Sequence, residues 1–371
     1  MSGSAGEDLD PDEIANKIER YSYLLPAASP ELISKMQSSQ PEQAIADPGA
    51  EAGTSAMTGG AIPLPVWPEL THAHTRDRVA GCLLGLAVGD AVGAAAVSKP
   101  RDSFPALTDM TGGGSFNLKA GEWTGGTTMA LCLGESLLEA ESVDQDDFME
   151  RLRGWLERGE NTVSSRCFDI GATTRAAIEN FIATGIAASG RLDARSAGSG
   201  SLVRLAPAAI FAAGDYDTAE ILALKQSRAT HAHPECLDAC KLFVSQLMDA
   251  LSGADKDAAT RQRVMNLSPK LLFISASEWR GKTRDQINSD GYVVNTLEAA
   301  LWSVWQTDNF RDAVLTAANL GGHANRVAAV AGQLAGALYG AAAIPHDWLA
   351  KLAWGAKIGK LAVELSDHGS A

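Results

Sequence analysis

Cysteine is scarce in this sequence. Its 371 residues include five scattered cysteines, Cys82, Cys132, Cys167, Cys236 and Cys240, in no evident paired framework. An odd, unpatterned set is typical of reduced thiols, so we expect a hydrophobic core and a cytoplasmic protein. The acidic start has neither the basic segment nor the apolar core of a signal peptide, so export would have to occur without a cleaved signal.

Positive charge is also scarce. The chain has 31 Lys and Arg against 45 Asp and Glu, a formal net charge of −14, and no basic cluster. Proteins that bind nucleic acids need many Lys or Arg contacts to phosphates, so nucleic acid is not an expected partner. The charge instead favours small molecules or basic protein surfaces.

Two apolar stretches, residues 79–97 and 327–344, approach the length of a membrane span. Asp90 lies within the first, and the second is mostly Ala and Gly and contains Gln333. Gly332, Gly336 and Gly340 recur every four residues, a spacing that lets helices pack closely. Because Ala and Gly contribute little to insertion, we expect buried helices of a bundle and no membrane partner.

Strand-like alternation is absent from residue 76 onward, and the pattern is helical. We predict one all-α domain over residues 76–371, with helices that include residues 146–157, 173–187, 206–213, 218–226, 234–251, 296–305 and 312–320. Glycine-rich breaks fall at residues 111–114, 121–126, 198–201 and 321–322. Loops of this kind can hold phosphate or ribose with backbone N–H groups.

Residues 1–75 differ in character from the rest. Helix starts are indicated at Asp10-Pro11 and Ser29-Pro30, and residues 37–65 have the composition of a flexible linker. Such short helices need a surface on which to dock. Either this extension packs on its own domain or is unstructured, or it is an arm that binds a partner.

Seven segments in the main domain, taken together and in order, resemble the ADP-ribosylglycohydrolase family. They lie at residues 78–93, 112–131, 166–175, 201–207, 230–234, 291–302 and 319–340. The resemblance implies a compact, monomeric all-α fold with a central cleft that holds two magnesium or manganese ions. There the family cleaves the bond between ADP-ribose and a modified side chain, most often arginine.

The resemblance also implies which residues form the cleft. Asp169 matches the acid beside the scissile ribose, although it could instead cap the following helix. The candidate ADP-ribose contacts are Gly112, Gly113, Gly114, Ser115, Gly200, Ser201, His231 and Gly322. Two further residues are of interest: Asp90 either lines the cleft or caps helix ends, and we expect Arg204 to anchor carboxylates between helices.

The positions that match the family's metal ligands have changed. Thr124 keeps a family-like oxygen, whereas Gly125, Gly126, His323, Asn325 and Arg326 do not. Mg²⁺ and Mn²⁺ prefer carboxylate oxygens. A unit charge pair 4 Å apart is worth about 4 kcal/mol at an effective dielectric constant of about 20, so losing four carboxylates is severe. We therefore expect no metal cofactor.

Three functions remain open from the sequence. A pseudoenzyme would use the cleft to bind ADP-ribose, an ADP-ribosylated protein or an ADP-ribosylating partner. A rewired hydrolase would use Arg326 in place of the metal charge, with Asp169 or His323 as general acid or base. A different metal site could use His231, His233, Cys236 and His323 for zinc.

The N-terminal extension adds a further possibility. In some immunity members of the family, such an extension blocks an ADP-ribosylating toxin by occupying its active site. The acidic residues before residue 76 would suit that role, and a polar leader of an exported effector would have a similar composition.

Overall fold

A computed structural model describes residues 72–140 and 142–369 of the chain. The predicted helices that start at Asp10 and Ser29, the linker at residues 37–65 and the partner-binding arm lie outside the described residues. The arm therefore stays a prediction.

The described residues form fifteen α-helices and six short 3₁₀ segments, with three isolated β-bridges and no strand. The all-α prediction is confirmed. The α-helices are α1 His72–Gly93, α2 Gly125–Ala140, α3 Gln145–Arg158, α4 Ala172–Thr184, α5 Gly200–Val203, α6 Ala206–Phe211, α7 Tyr216–Thr230, α8 Pro234–Leu251, α9 Lys256–Ala259, α10 Pro269–Ser275, α11 Val293–Trp305, α12 Phe310–Ala318, α13 Ala324–Tyr339, α14 His346–Lys351 and α15 Gly355–Gly369.

The seven predicted helices all form, and Pro234–Leu251 has the predicted bounds. The predicted break at residues 121–126 is partly wrong, because Gly125 and Gly126 begin α2. Likewise Gly200 and Ser201 lie in the short helix α5. Glycine is common in loops, but at Gly125, Gly126 and Gly200 it makes room for neighbouring groups.

The antiparallel pair α1 and α13 forms the centre of the domain. Along α1, glycines recur every fourth residue and face the backbone of α13. A Cβ added at Gly85 would lie 2.2 Å from the carbonyl oxygen of Gly332, and one at Gly89 would lie 2.0 Å from that of Ala328. The two backbones are therefore in direct contact, and a side chain larger than hydrogen at these α1 positions has no space.

Within the described residues, one helical segment, His74–Ala96, is long and apolar enough to cross a membrane by length and composition. Its most apolar window is 94% buried among the other helices of the domain. The apolar character of this segment is accounted for by its place in the core.

Asp90 of α1 caps the start of α2. Its carboxylate accepts hydrogen bonds from the Thr124 hydroxyl at 2.5 Å and the Thr127 hydroxyl at 2.8 Å. It also accepts the backbone N–H groups of Thr124 at 3.1 Å and Thr127 at 3.0 Å. The first turn of a helix has unpaired N–H donors, which this carboxylate satisfies. Asp90 thus satisfies a helix end, which settles its structural role.

Arg204 is fully buried, but the expectation that it anchors carboxylates is wrong. Its guanidinium donates to the side-chain and backbone oxygens of Gln226, at 2.8 and 2.7 Å, and to the Thr230 hydroxyl at 2.9 Å. It also lies 4.9 Å above the Phe148 ring. Burial lowers the pKa of Arg204 to about 10. Uncharged oxygens and a ring face satisfy this cation instead of a carboxylate.

The contact between α1 and α13 predicts that Gly85→Ala will destabilise the domain. The new methyl group meets the Gly332 carbonyl, so we expect a loss of about 3 kcal/mol or more of unfolding free energy. Gly359→Ala is the matched control, since its Cβ would lie 3.8 Å from the Leu84 side chain in the middle of α15. That variant should be neutral or slightly stabilised. Denaturant unfolding followed by circular dichroism measures both, and equal losses would contradict the prediction.

The buried carboxyl group of Asp90 predicts a pH dependence of stability. Burial, outweighing the hydrogen bonds from Thr124 and Thr127, raises the pKa of Asp90 from 3.8 to about 6. Between about pH 4 and pH 6 the folded protein therefore binds more protons than the unfolded chain, and its stability falls as pH rises. The unfolding free energy of the wild type minus that of Asp90→Asn should fall by on the order of 1–3 kcal/mol across this range. A flat or rising difference would refute this assignment.

Candidate functional site

A small cavity of about 60 Å³ lies beside the first turn of α4, between that helix and the start of α13. Loop residues, residues near helix starts and the residue that follows α7 contribute to its wall. The lining residues are Gly126, Met129, Asp169, Gly171, Ala172, Thr173, Thr174, Gly198, Gly200, Val203, His231 and Arg326.

Five of the positions singled out from the sequence line this cavity: Gly126, Asp169, Gly200, His231 and Arg326. Their roles in binding or catalysis stay predictions. Gly171, Thr173, Thr174 and Val203 also line the cavity, although no role was predicted for them. Thr173 and Thr174 lie within a segment that carries the family resemblance, which was the available signal for them.

The other predicted contacts do not line the cavity. Gly112, Gly113, Gly114 and Ser115 form a separate turn, in which the Ser115 hydroxyl donates to the Val97 carbonyl at 3.0 Å. The next residue of this turn, Phe116, packs against Phe168 with ring centroids 5.4 Å apart. The turn therefore adjoins the loop that carries Asp169 without reaching the cavity.

Ser201 and Gly322 also lie outside the cavity wall. The Ser201 hydroxyl is fully buried and accepts a hydrogen bond from Ser227 at 2.9 Å, which fixes α5 to α7. Gly322 donates its N–H to the Lys99 carbonyl and accepts from the Ser98 N–H, both at 2.8 Å.

Asp169 occupies a constrained position at the cavity. Its φ angle is +51°, a left-handed conformation that Asp and Asn adopt more readily than most residues. The N-cap residue of α4 is Gly171, with no side-chain cap hydrogen bond, so the alternative that Asp169 caps this helix is wrong. Asp169 Oδ2 instead accepts a hydrogen bond from Asn325 Nδ2 at 2.9 Å.

Asn325 connects two of the predicted site positions. Its Nδ2 donates to Asp169 and also to Thr124 Oγ1, at 2.8 Å. The reversed amide would place its oxygen against the Asp169 carboxylate, which supports this orientation. The side chain is 1% exposed, and its Oδ1 has no hydrogen-bond partner within the described part of the chain.

The glycines that begin α2 leave no space for carboxylates. A Cβ added at Gly125 would lie 2.8 Å from the Asp169 carbonyl oxygen, and one at Gly126 would lie 2.7 Å from Val203 Cγ1. The backbone of the Asp169 loop and the Val203 side chain thus occupy the space that side chains at 125 and 126 would need.

The residues present do not fit the family's pair of divalent cations. Mg²⁺ and Mn²⁺ need several free oxygens, preferably from carboxylates. Here Asp90 is fully used by α2, while the Thr124 hydroxyl and Asp169 are held by the Asn325 amide. The guanidinium of Arg326 lines the same cavity and would repel a dication.

The zinc hypothesis is wrong, since its four residues do not converge. Within the described ranges, no group of three or more His, Cys, Asp or Glu side chains could hold a metal ion. His233 Nδ1 accepts the Glu235 N–H at the start of α8, and the Cys236 thiol faces the Gly198 carbonyl. His323 lies against Gly291. These side chains have separate structural contacts.

The His231 imidazole and the Arg326 guanidinium are the nitrogen-containing side chains in the cavity wall. Burial, with a smaller effect from Arg204 and Arg326, holds the pKa of His231 well below its usual value. Burial and the Arg326 charge also lower the pKa of His323. Both imidazoles are therefore neutral at physiological pH, and the fixed positive charge of the cavity comes from Arg326.

Comparison with known proteins matches residues 71–370 to the model of the ADP-ribosylglycohydrolase family. The chain is 44% identical to the ADP-ribosylarginine hydrolase Tri1 of Pseudomonas putida (strain GB-1), covering 96% of this chain and 93% of the relative. It is 41% identical to the protein of the same name from Serratia proteamaculans (strain 568), covering 94% and 93%.

A more distant relative is the ADP-ribosyl-[dinitrogen reductase] glycohydrolase of Rhodospirillum rubrum, 33% identical over 76% of this chain and 92% of the relative. A solved structure described as an ADP-ribosylglycohydrolase-related protein complex superposes with a TM-score of 0.71. It is 38% identical and is covered to 99%, against 80% of this chain. The family model, these relatives and the shared fold together show that the chain belongs to the ADP-ribosylglycohydrolase family, as the seven segments predicted.

Proposed function

We propose that the protein recognises the ADP-ribosyl group, free or attached to a protein, without the family's metal-dependent hydrolysis. The observation that carries this proposal is the Asn325 amide, which bonds to both Thr124 Oγ1 and Asp169 Oδ2. An amide N–H₂ group donates hydrogen bonds and cannot coordinate a cation. The N–H₂ end of Asn325 therefore engages two neighbouring oxygens that a cation would need.

The filled space at Gly125 and Gly126 supports the same proposal. Side chains at these positions would collide with the Asp169 backbone and with Val203. The first turn of α2 is therefore packed for glycine at both positions. The names of the two Tri1 relatives, ADP-ribosylarginine hydrolases, support ADP-ribosylated arginine as the class of modification that is recognised.

A second candidate is hydrolysis without a metal. The names of these relatives favour an active hydrolase. Asp169 and Arg326 line one cavity, where the carboxylate could serve as an acid or base and the guanidinium could stabilise negative charge. This reading predicts activity that survives removal of divalent cations.

Titration calorimetry with ADP-ribose tests the binding proposal. We expect ADP-ribose to bind in EDTA, with an affinity that added Mg²⁺ leaves unchanged. The oxygen ligands that a cation needs are either missing or engaged in hydrogen bonds. Release of ADP-ribose from ADP-ribosyl-arginine should be at least roughly a thousandfold slower than by an active relative, since one preorganised electrostatic group alone is worth about 10²–10³. Absence of ADP-ribose binding, or binding that requires Mg²⁺, would contradict the proposal.

Asp169→Asn separates the two candidates. Asn tolerates the left-handed backbone at this position, so the substitution removes the charge without straining the loop. Asp102→Asn is the matched control, because Asp102 is also left-handed, at φ +59°, but is exposed and outside the cavity. Hydrolysis that persists in EDTA, is lost in Asp169→Asn and is retained in Asp102→Asn would establish the metal-independent hydrolase and refute the non-hydrolytic reading.

A further inference from the structure

Three large apolar side chains, Ile182, Ile186 and Leu192, are exposed on α4 and in the loop that follows it. They are 40%, 58% and 71% exposed, and they are three of the six large apolar residues exposed in the described part of the chain. Single exposed apolar side chains are normal on a protein surface, whereas a group of them marks a surface that contacts another molecule. We call these three residues the rim patch.

The exposed face of α4 leads from the cavity to the rim patch. Ala172, in the first turn, lines the cavity and is exposed, so the cavity opens to solvent there. Arg175, Glu179 and Ile182 are also exposed, and with Ala172 they are spaced by three, four and three residues. Residues at this spacing share one face of a helix. At about 1.5 Å per residue, Ile182 lies roughly 15 Å along the helix from the cavity opening.

The loop that follows α4 returns to the cavity wall. The Gly190 N–H donates to the Arg228 carbonyl, in the last turn of α7, at 3.0 Å. The next residue, Arg191, pairs with the cavity residue His231 in an isolated β-bridge. Leu192 follows directly, so this exposed side chain also lies next to the cavity wall.

The start of the same loop is fixed as well. The Ser189 hydroxyl accepts a hydrogen bond from Asn180 Nδ2 at 2.8 Å and donates one to the Ile186 carbonyl oxygen. The loop is thus bound to the domain on both sides, and the rim patch is ordered before a partner arrives. A preordered surface loses less conformational entropy on binding, which favours association.

The surface around the rim patch is basic, although the whole chain has a net charge of −14. The exposed charges of α4, the loop and the last turn of α7 are four arginines and two carboxylates: Arg175, Arg191, Arg195, Arg228, Glu179 and Asp193. Both carboxylates are ion-paired, with Arg175 at 3.8 Å and Arg191 at 3.0 Å. Arg195 and Arg228 form no ion pair among residues 72–140 and 142–369. An apolar patch beside unpaired arginines fits a partner with apolar and acidic residues.

We propose that the rim patch docks the protein that carries the ADP-ribosylated side chain, through apolar and acidic residues near the modified position. This inference rests on the proposed function and specifies the partner of the same site. A modified side chain that enters the cavity at Ala172 brings its protein to the opening, where the exposed face of α4 and the loop at Leu192 are the adjoining surface. Apolar side chains bordered by charges are the usual arrangement of a protein interface.

Binding of two ADP-ribosylated peptides in EDTA tests the rim patch. Each peptide has about 20 residues, long enough to span the roughly 15 Å from cavity to patch, and one central ADP-ribosyl-arginine. The flanking residues are leucine and aspartate in one peptide, and serine and lysine in the other. We expect the full-length protein to bind the acidic, apolar peptide at least about tenfold more tightly in fluorescence anisotropy, because apolar burial and charge attraction both favour it.

Ile186→Asp combined with Leu192→Asp removes the docking surface without changing the cavity wall. We expect the preference between the two peptides to disappear in this variant, while free ADP-ribose binds as it does to the wild type. Val264→Asp is the matched control, because Val264 is exposed in the segment between α9 and α10 and is not part of the rim patch. It should keep the full preference. Arg195→Ala should reduce the preference most at low salt, where exposed charges are least screened.

The outcomes separate this inference from the proposed function. Equal affinities of the wild type for the two peptides, or a preference that survives in the double variant, overturn the rim patch even where ADP-ribose binds. Failure of free ADP-ribose to bind overturns the proposed function and the docking role together.

A photo-reactive side chain identifies what covers the rim patch in the full-length protein. With Leu192→p-benzoylphenylalanine, we expect cross-links to the acidic, apolar peptide. Cross-links to residues 1–71 or to a second copy of the chain, which this peptide does not displace, would show another occupant and overturn the proposal.

Discussion

The direct backbone contact between α1 and α13 is the constraint on which the rest of the domain depends. Ordinary helix pairs are about 8–10 Å apart, separated by side chains, whereas here the glycines of α1 lie against carbonyl groups of α13. Gly93, at the end of α1, meets Ala324 and Asn325 at the start of α13. This contact brings Asp90 and Asn325, distant in sequence, to the same end of the helix pair, where both contact Thr124.

The site is therefore built from helix ends held by a close-packed core. Asp90 fixes the start of α2, and Asn325 joins that start to the Asp169 loop. The bonds at Thr124 and Thr127 are buried in a low-dielectric surrounding, where an unpaired partner would be costly, and the bond to Asp169 is partly buried. The Asn325 hydrogen bond and the Phe116–Phe168 ring contact hold the loop that carries Asp169, which gives its carboxylate a defined place in the cavity.

Membership of the family and the chemistry of the cavity depend on different residues. The glycines of α1 and the small residues of α13 maintain the fold and do not line the cavity. The same fold can therefore hold functional sites of different chemistry. The cavity wall contains the Asp169 carboxylate, the Arg326 guanidinium and the neutral His231 imidazole. The carboxylates implied by the resemblance would instead hold cations.

The sequence by itself determined the helical class, the family and several members of the site. Helical periodicity and glycine spacing are local properties that survive in any packing, and Pro234–Leu251 was predicted to the residue. Asp169, Gly200, His231 and Arg326 could be named because they fall in or beside segments with family spacing. The tertiary structure decided which groups come into contact. It shows that Asp90 caps α2, that Arg204 binds neutral oxygens, and that the four residues proposed for zinc do not form a metal site. It also decided the roles of Asn325 and Gly125, because the amide hydrogen bonds and the filled space arise from loops and helices more than 30 residues apart along the chain.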